Sequence, residues 1–208
     1  GSYIKGDFQR TNQYESSGQT FAGYISSELI LSDKWKSTIG LRFENYLVKY
    51  TGENIEAIKF NNEKLIDTKD LYPSLNIIRT INDDKNLRIS YSKTTARPTF
   101  KEISAAQIYD PITERYFVGN PDVNPTYINN FDLRYESYSD GNQIFAISTF
   151  YKQFIDPIEI TAFDANQPSV FIVRNNEEAS VYGIELEYRK DILNNDNHKL
   201  SLNLNTSL

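Results

Sequence analysis

Tyr182-Gly183-Ile184-Glu185-Leu186-Glu187-Tyr188-Arg189 alternates strictly between two kinds of side chain. Tyr182, Ile184, Leu186 and Tyr188 fall on one face of an extended chain, and Gly183, Glu185, Glu187 and Arg189 fall on the other. A period of two is the signature of a strand with chemically different faces. Residues 130–136 repeat it, with Phe131, Leu133 and Tyr135 against Asn130, Asp132, Arg134 and Glu136. So do Thr38–Glu44, Leu87–Ser92 and Lys199–Asn205. The pattern predicts strands over 20–31, 35–50, 70–81, 86–96, 126–138, 143–155, 176–190 and 198–208, with a ninth in 3–10. In 143–155 both alternating sets are apolar, which leaves the register of that strand open. A single helical patch is expected at 99–107, with Thr99 as its cap.

The connections between strands fall into two classes. Ser32–Lys34, Asn82–Lys85, Ser139–Asn142 and Asp191–Asn197 are short, polar and rich in Asn, Asp and Gly, as hairpin turns are. Residues 51–69, 97–125 and 156–175 form long connections, which usually carry function. Short and long alternate along the chain, so an up-and-down meander gathers all the short turns at one end and all the long loops at the other.

Composition narrows the function. The 208 residues contain no Cys and one His, His198, which removes disulfides, thiol catalysis and Cys- or His-based metal sites. His198 sits beside a turn and receives no role. The net charge of −6, without a basic stripe, argues against nucleic acid as a partner. No apolar run reaches the 18 or so residues of a spanning helix. Asp33, Asp83, Asp84 and Asp140 have the spacing of turn formers, not of a calcium loop. No nucleophile triad, phosphate loop or paired-carboxylate signature is present, so no enzyme activity and no cofactor are expected. Gly1-Ser2 reads as a cloning scar, and residues 3–208 read as a segment cut from a longer protein.

Two architectures accommodate alternating strands. A soluble sandwich buries the apolar face, whereas a transmembrane barrel turns it to lipid and the polar face to the lumen. Strands such as 35–50 exceed the about 5–6 residues common in soluble sheets and suit a tilted crossing of about 9–11. The one-sided loop lengths match short periplasmic turns opposite long outer loops. Trp35, Tyr138, Phe145 and Tyr188 lie near the short turns. Tyr46, Tyr50, Tyr72, Tyr127, Tyr151 and Tyr182 lie near the long loops, so the aromatics are expected to form two interfacial girdles. The expected fold class is therefore all-β, an antiparallel up-and-down transmembrane barrel present in part, with eight or nine strands. A soluble binding sandwich and a complete small barrel of structural or adhesive duty are the alternatives.

A linked set of motifs then points to a family. Arg97-Pro98-Thr99-Phe100-Lys101-Glu102 closes a strand, Gly119-Asn120-Pro121 and Pro125 shape a loop, and Phe150-Tyr151-Lys152 follows a descending strand. With Phe21-Ala22-Gly23-Tyr24 upstream and Ala179–Glu187 downstream, the run resembles the C-terminal half of a TonB-dependent receptor barrel over about residues 20–190. The resemblance implies an outer-membrane protein importing a scarce small-molecule or oligomeric nutrient (siderophore, vitamin, glycan or peptide). It implies energy from TonB through an N-terminal region not recognisable here, about 22 strands in the whole barrel, outer-membrane lipid around it, and a surface lipoprotein as a further partner. Within that frame Arg97, Tyr109, Arg115, Tyr116, Asn120 and Asp122 are the candidates for ligand contact in the outer loops. Pro98 and Pro125 also read as ordinary strand and turn punctuation, and Gly119 as a residue that permits positive φ. Arg42, Glu44, Arg134, Glu136, Glu185, Glu187 and Arg189 read as a salt-bridge lattice facing the lumen.

Overall fold

The computed structural model describes residues 14–54, 58–139, 143–164, 167–195 and 198–208. The strand expected at 3–10 and parts of the turns at 139–142 and 191–197 lie outside them. Twelve strands follow one another: β1 Glu15–Ser32, β2 Trp35–Glu53, β3 Lys59–Asn82, β4 Lys85–Ala96, β5 Gln107–Asp110, β6 Arg115–Val118, β7 Thr126–Ser139, β8 Gln143–Ile155, β9 Ile158–Asp164, β10 Gln167–Asn175, β11 Glu178–Asn194 and β12 Lys199–Ser207. Eight of them make one antiparallel sheet in the order β1-β2-β3-β4-β7-β8-β11-β12, an uninterrupted meander. All eight strands expected in that sheet are present.

The ladders give the sheet two faces. Opposite residues share a face, so the pairings Phe43–Leu71, Ile89–Leu133 and Leu186–Ile147 form a continuous apolar surface. Leu133 and Ile184 stay 43% and 46% exposed on it, because none of the described residues covers that side. The pairings Arg88–Arg134, Glu136–Ala146 and Ala146–Glu187 define the polar face. The register left open in 143–155 is thereby settled: Phe145, Ile147 and Tyr151 join the apolar face, and Ala146, Ser148 and Phe150 the polar one. A small Ala146, fully buried, sits between Glu136 and Glu187.

The short turns match their sequence signals. Asp33-Lys34 and Asp83-Asp84 each reverse the chain, with Asn82 Oδ1 accepting the Asp84 N–H at 3.2 Å. The register shifts beside three of these turns, at Ile30/Ser32, Thr80/Asn82 and Asp191/Leu193, as bulges do near strand ends.

The long connections depart from expectation. Residues 51–53 and 59–69 are strand and not loop: β2 and β3 stay paired up to Glu53–Lys59. Two register shifts, at Val48/Lys49 and Tyr50/Gly52, scramble the period of two there, and the side chains are mostly polar. Residues 97–125 and 156–175 contribute a second, four-stranded sheet in the order β5-β6-β10-β9, with β6 and β10 parallel. The helix expected at 99–107 is a single turn. Thr99 and Glu102 do form the reciprocal cap, with Thr99 N–H donating to Glu102 Oε2 at 2.7 Å and Glu102 N–H to Thr99 Oγ1 at 3.3 Å. The chain then turns away, because the Ala105 N–H is taken by the Tyr50 hydroxyl at 3.1 Å.

The second sheet lies over the polar face of the first. Val48 and Ile66, on the Glu44 side of the hairpin, pack with Ile103, Val123 and Val173, all buried. This cluster is the core of the molecule, and it joins a cap of two connections to the upper β2–β3 hairpin. The cap is tied internally as well: Asn124 N–H donates to Asn175 Oδ1 at 2.8 Å, and Asn175 Nδ2 donates to Asn124 O at 3.0 Å.

Candidate functional site: the lumen face and its cap

Two charge lattices occupy the polar face. In the first, Arg42 Nε donates to Glu44 Oε1 at 2.5 Å, Arg97 Nη2 donates to Glu44 Oε2, and the Arg97 guanidinium stacks 4.2 Å from the Tyr46 ring centre. In the second, Arg134 donates to Glu136 at 2.7 Å, to Ser148 at 3.0 Å and to Glu187 at 2.8 Å. Arg88 lies 3.8 Å from Glu136 and Arg189 3.5 Å from Glu187. The Tyr138 hydroxyl also donates to Glu136 at 3.0 Å. Charges of both signs, confined to one face, pair as the sequence suggests. Glu185 shares the face but enters none of these pairs. With Arg134, Leu186, Glu187, Asn205 and Ser207 it lines a cavity of about 300 Å³.

Several aromatic positions differ from expectation. Tyr46, Tyr50 and Tyr72 do not join an outer girdle. Tyr46 and Tyr50 face the cap, and Tyr72 is buried beside Asp70, to which its hydroxyl donates at 3.4 Å. Tyr127 donates to the same Asp70 at 2.9 Å, and Tyr138 turns to Glu136. A row does exist on the apolar face near the long connections, where Tyr91, Phe131 and Tyr151 stand 5.0 and 6.2 Å apart in sequence across β4, β7 and β8. At the short-turn end Trp35 packs under Arg79, 5.3 Å from its ring centre.

The structure divides the six ligand-contact candidates into two groups. Arg97 is consumed by Glu44 and Tyr46. Asn120 is a brace: its N–H donates to Glu102 O at 2.7 Å, its Nδ2 to Val173 O at 3.1 Å, and its Oδ1 accepts the Asp122 N–H at 3.0 Å. Arg97 ties the start of the cap to the barrel wall, whereas Asn120 braces the cap internally. Tyr109, Arg115 and Tyr116 come together on the β5–β6 hairpin. The two tyrosine rings are 4.9 Å apart, Tyr109 is 48% exposed, and Arg115 stacks 4.9 Å over Phe171 of β10. Asp122 is exposed at the edge of the cap. Asp110 holds the hairpin turn, accepting from the Ile112 N–H at 2.9 Å and the Thr113 hydroxyl at 2.8 Å. Those two bonds, the Ile112 N–H first, hold its carboxyl below the usual carboxylate range.

Gly119 has a different job from the one its sequence context suggests. A Cβ there would stand 2.1 Å from Ser104 O and 2.7 Å from Lys101 O, so glycine is required by close backbone approach. The residues missed by sequence reading are those that seat the cap: Tyr46, Val48, Tyr50, Ile66, Ile103, Val123 and Val173. Short apolar runs inside the long connections, Tyr116-Phe117-Val118 and Val170–Val173, are the signal that could have revealed them.

Solved structures with a similar fold include receptors and a transporter. A mutant of the ferric enterobactin receptor of Pseudomonas aeruginosa matches with a TM-score of 0.65 at 17% identity, over 92% of this chain and 27% of that one. The copper transporter OprC matches with a TM-score of 0.69 at 13% identity, over 86% and 28%. A mutant hemophore receptor of Serratia marcescens, bound to its hemophore and heme, matches with a TM-score of 0.67 at 12% identity, over 83% and 32%. The chain thus spans about a quarter to a third of the length of these receptors. No curated protein sequence matches it. The likeness bears out, at the level of fold, the resemblance to a receptor barrel segment read from the sequence. Residues 1–207 match one family throughout, which places the protein in the outer membrane, where the apolar face of a barrel sheet is the one suited to lipid. The chain belongs to the outer membrane protein beta-barrel family.

Proposed function

We propose that this chain is part of the barrel of a TonB-dependent receptor, which imports a scarce nutrient across the outer membrane and catalyses no reaction. The observation that supports this reading best is the cap. Two long connections fold into one sheet over the charged face, with Tyr109, Tyr116, Arg115 and Asp122 at its surface. A surface built for recognition and seated above a polar lumen suits a receptor that captures a solute before moving it inward. Aromatic rings and an arginine supply contact area and directed hydrogen bonds. In this reading a region N-terminal to the segment contacts TonB, and a surface lipoprotein assists capture. Siderophore, vitamin, glycan and peptide all remain within reach of such a surface, since cap residues and not the barrel frame decide among them.

The test is growth of cells that carry the full-length receptor as their sole uptake route for each of these nutrient classes. Growth on one class should require TonB and should disappear when TonB is deleted. Growth indifferent to TonB would overturn the reading.

A further inference from the structure

Within the cap, β9 pairs only with β10 among the described residues, so its other edge has no strand partner, although the Ile158 N–H donates to Thr126 Oγ1 at 3.1 Å and the Phe163 C=O accepts from Arg174 at 3.2 Å. Exposed edges are usually protected by lysine, proline or a covering element. Ile158–Asp164 contains neither lysine nor proline, and Ile160 and Phe163 are 60% and 43% exposed. An apolar cavity of about 320 Å³ adjoins the start of this strand, lined by Ile158, Ala96, Phe154, Ala179 and Val181. Ala179 pairs with Phe154, and Val181 with Lys152, on the polar face of the large sheet, so the cavity opens toward the vestibule and not toward lipid. Residues 156–178 carry five acids, Asp156, Glu159, Asp164, Glu177 and Glu178, against one base, Arg174.

We propose that this groove binds an extended cationic peptide, which adds to β9 as a further strand and places one apolar side chain in the cavity. A strand edge offers donors and acceptors at the spacing of another backbone, which a compact chelate or a sugar does not reproduce. The cavity supplies the side-chain pocket that such binding uses for specificity, and the acidic surroundings select for lysine and arginine. The inference rests on the cap facing outward, as the receptor reading has it.

The probe is a dye-labelled, capped pentapeptide of alternating lysine and leucine, titrated against the purified full-length receptor and read by fluorescence anisotropy. Saturable binding is expected, with at least a tenfold loss when alternate backbone amides of the peptide are N-methylated. Ala179→Trp, which fills the cavity, should cost a similar factor. Glu177→Lys, at an exposed position outside the cavity lining, should weaken binding without touching the cavity. Equal binding of the N-methylated peptide, or unchanged binding by both variants, would overturn the proposal. So would the absence of binding to the unaltered receptor, which would mean that another part of the barrel covers the groove. TonB-dependent growth is scored separately: a receptor that imports through TonB yet ignores the peptide overturns this inference alone.

Discussion

Leu133 and Ile184 face lipid, and the price of a charge there is set by hydrocarbon. Leu133→Lys or Ile184→Lys should destabilise the receptor by about 2–4 kcal/mol near the bilayer midplane, measured by refolding into liposomes. Glu185→Gln, which breaks none of the ion pairs seen on the lumen face, should change stability far less. Gly119→Ala drives a methyl into the Ser104 and Lys101 carbonyls, so the cap should lose about 1–3 kcal/mol and become sensitive to limited proteolysis while the barrel resists it. Asp110 gives a pH signature. Its carboxyl is held low in the folded hairpin, so its contribution is complete above the ordinary carboxylate pKa and is lost as pH falls through the lowered value. The protection of the Ile112 amide against exchange, relative to its intrinsic rate at each pH, should therefore fall only under acid conditions, and Asp110→Ala should abolish that dependence. Single residues were unevenly legible in the sequence. The paired charges Arg134, Glu136 and Glu187 follow from alternation alone. The fixing of Arg97 by Glu44 depends on strands 53 residues apart and has no local trace.

At the scale of elements, alternation revealed the eight strands of the large sheet, because one face meets water and the other lipid. It failed wherever both faces are covered or the ladder is irregular. The upper β2–β3 hairpin carries two register shifts and polar outer residues, so it reads as a loop. Strands β5 and β6 span four residues each, too few for a period to declare itself. Their partners come from the other long connection, and that pairing is invisible to any local window. Thr99 caps as the sequence suggests, yet it starts one turn instead of a helix, because Tyr50 draws the Ala105 amide away. The cap is one body, which gives it a collective vulnerability. Deleting residues 104–118 removes β5 and β6 and strips cover from Val123 and Val173. The full-length variant should still reach the outer membrane as a heat-modifiable barrel while nutrient uptake disappears. Unchanged uptake would remove the cap from the functional surface.

At the scale of the whole molecule, the eight-stranded sheet is open among the described residues, with β1 and β12 each paired on one side. Unpaired backbone groups cost several kcal/mol each in hydrocarbon, so the large sheet is stable in a membrane only with its edges satisfied by further strands. The 208 residues alone should accordingly give no selective, saturable solute flux in liposomes. Such flux would favour a small self-sufficient barrel instead. Strand β11 reports most directly whether one face of the large sheet meets lipid and the other a polar lumen. Nitroxide labels at single cysteines from Ile184 to Arg189 of the full-length receptor, in liposomes, report oxygen against nickel-chelate accessibility. Positions 184, 186 and 188 should favour oxygen and positions 185, 187 and 189 the chelate, with a period of two. A flat or inverted pattern would mean that the apolar face does not meet lipid.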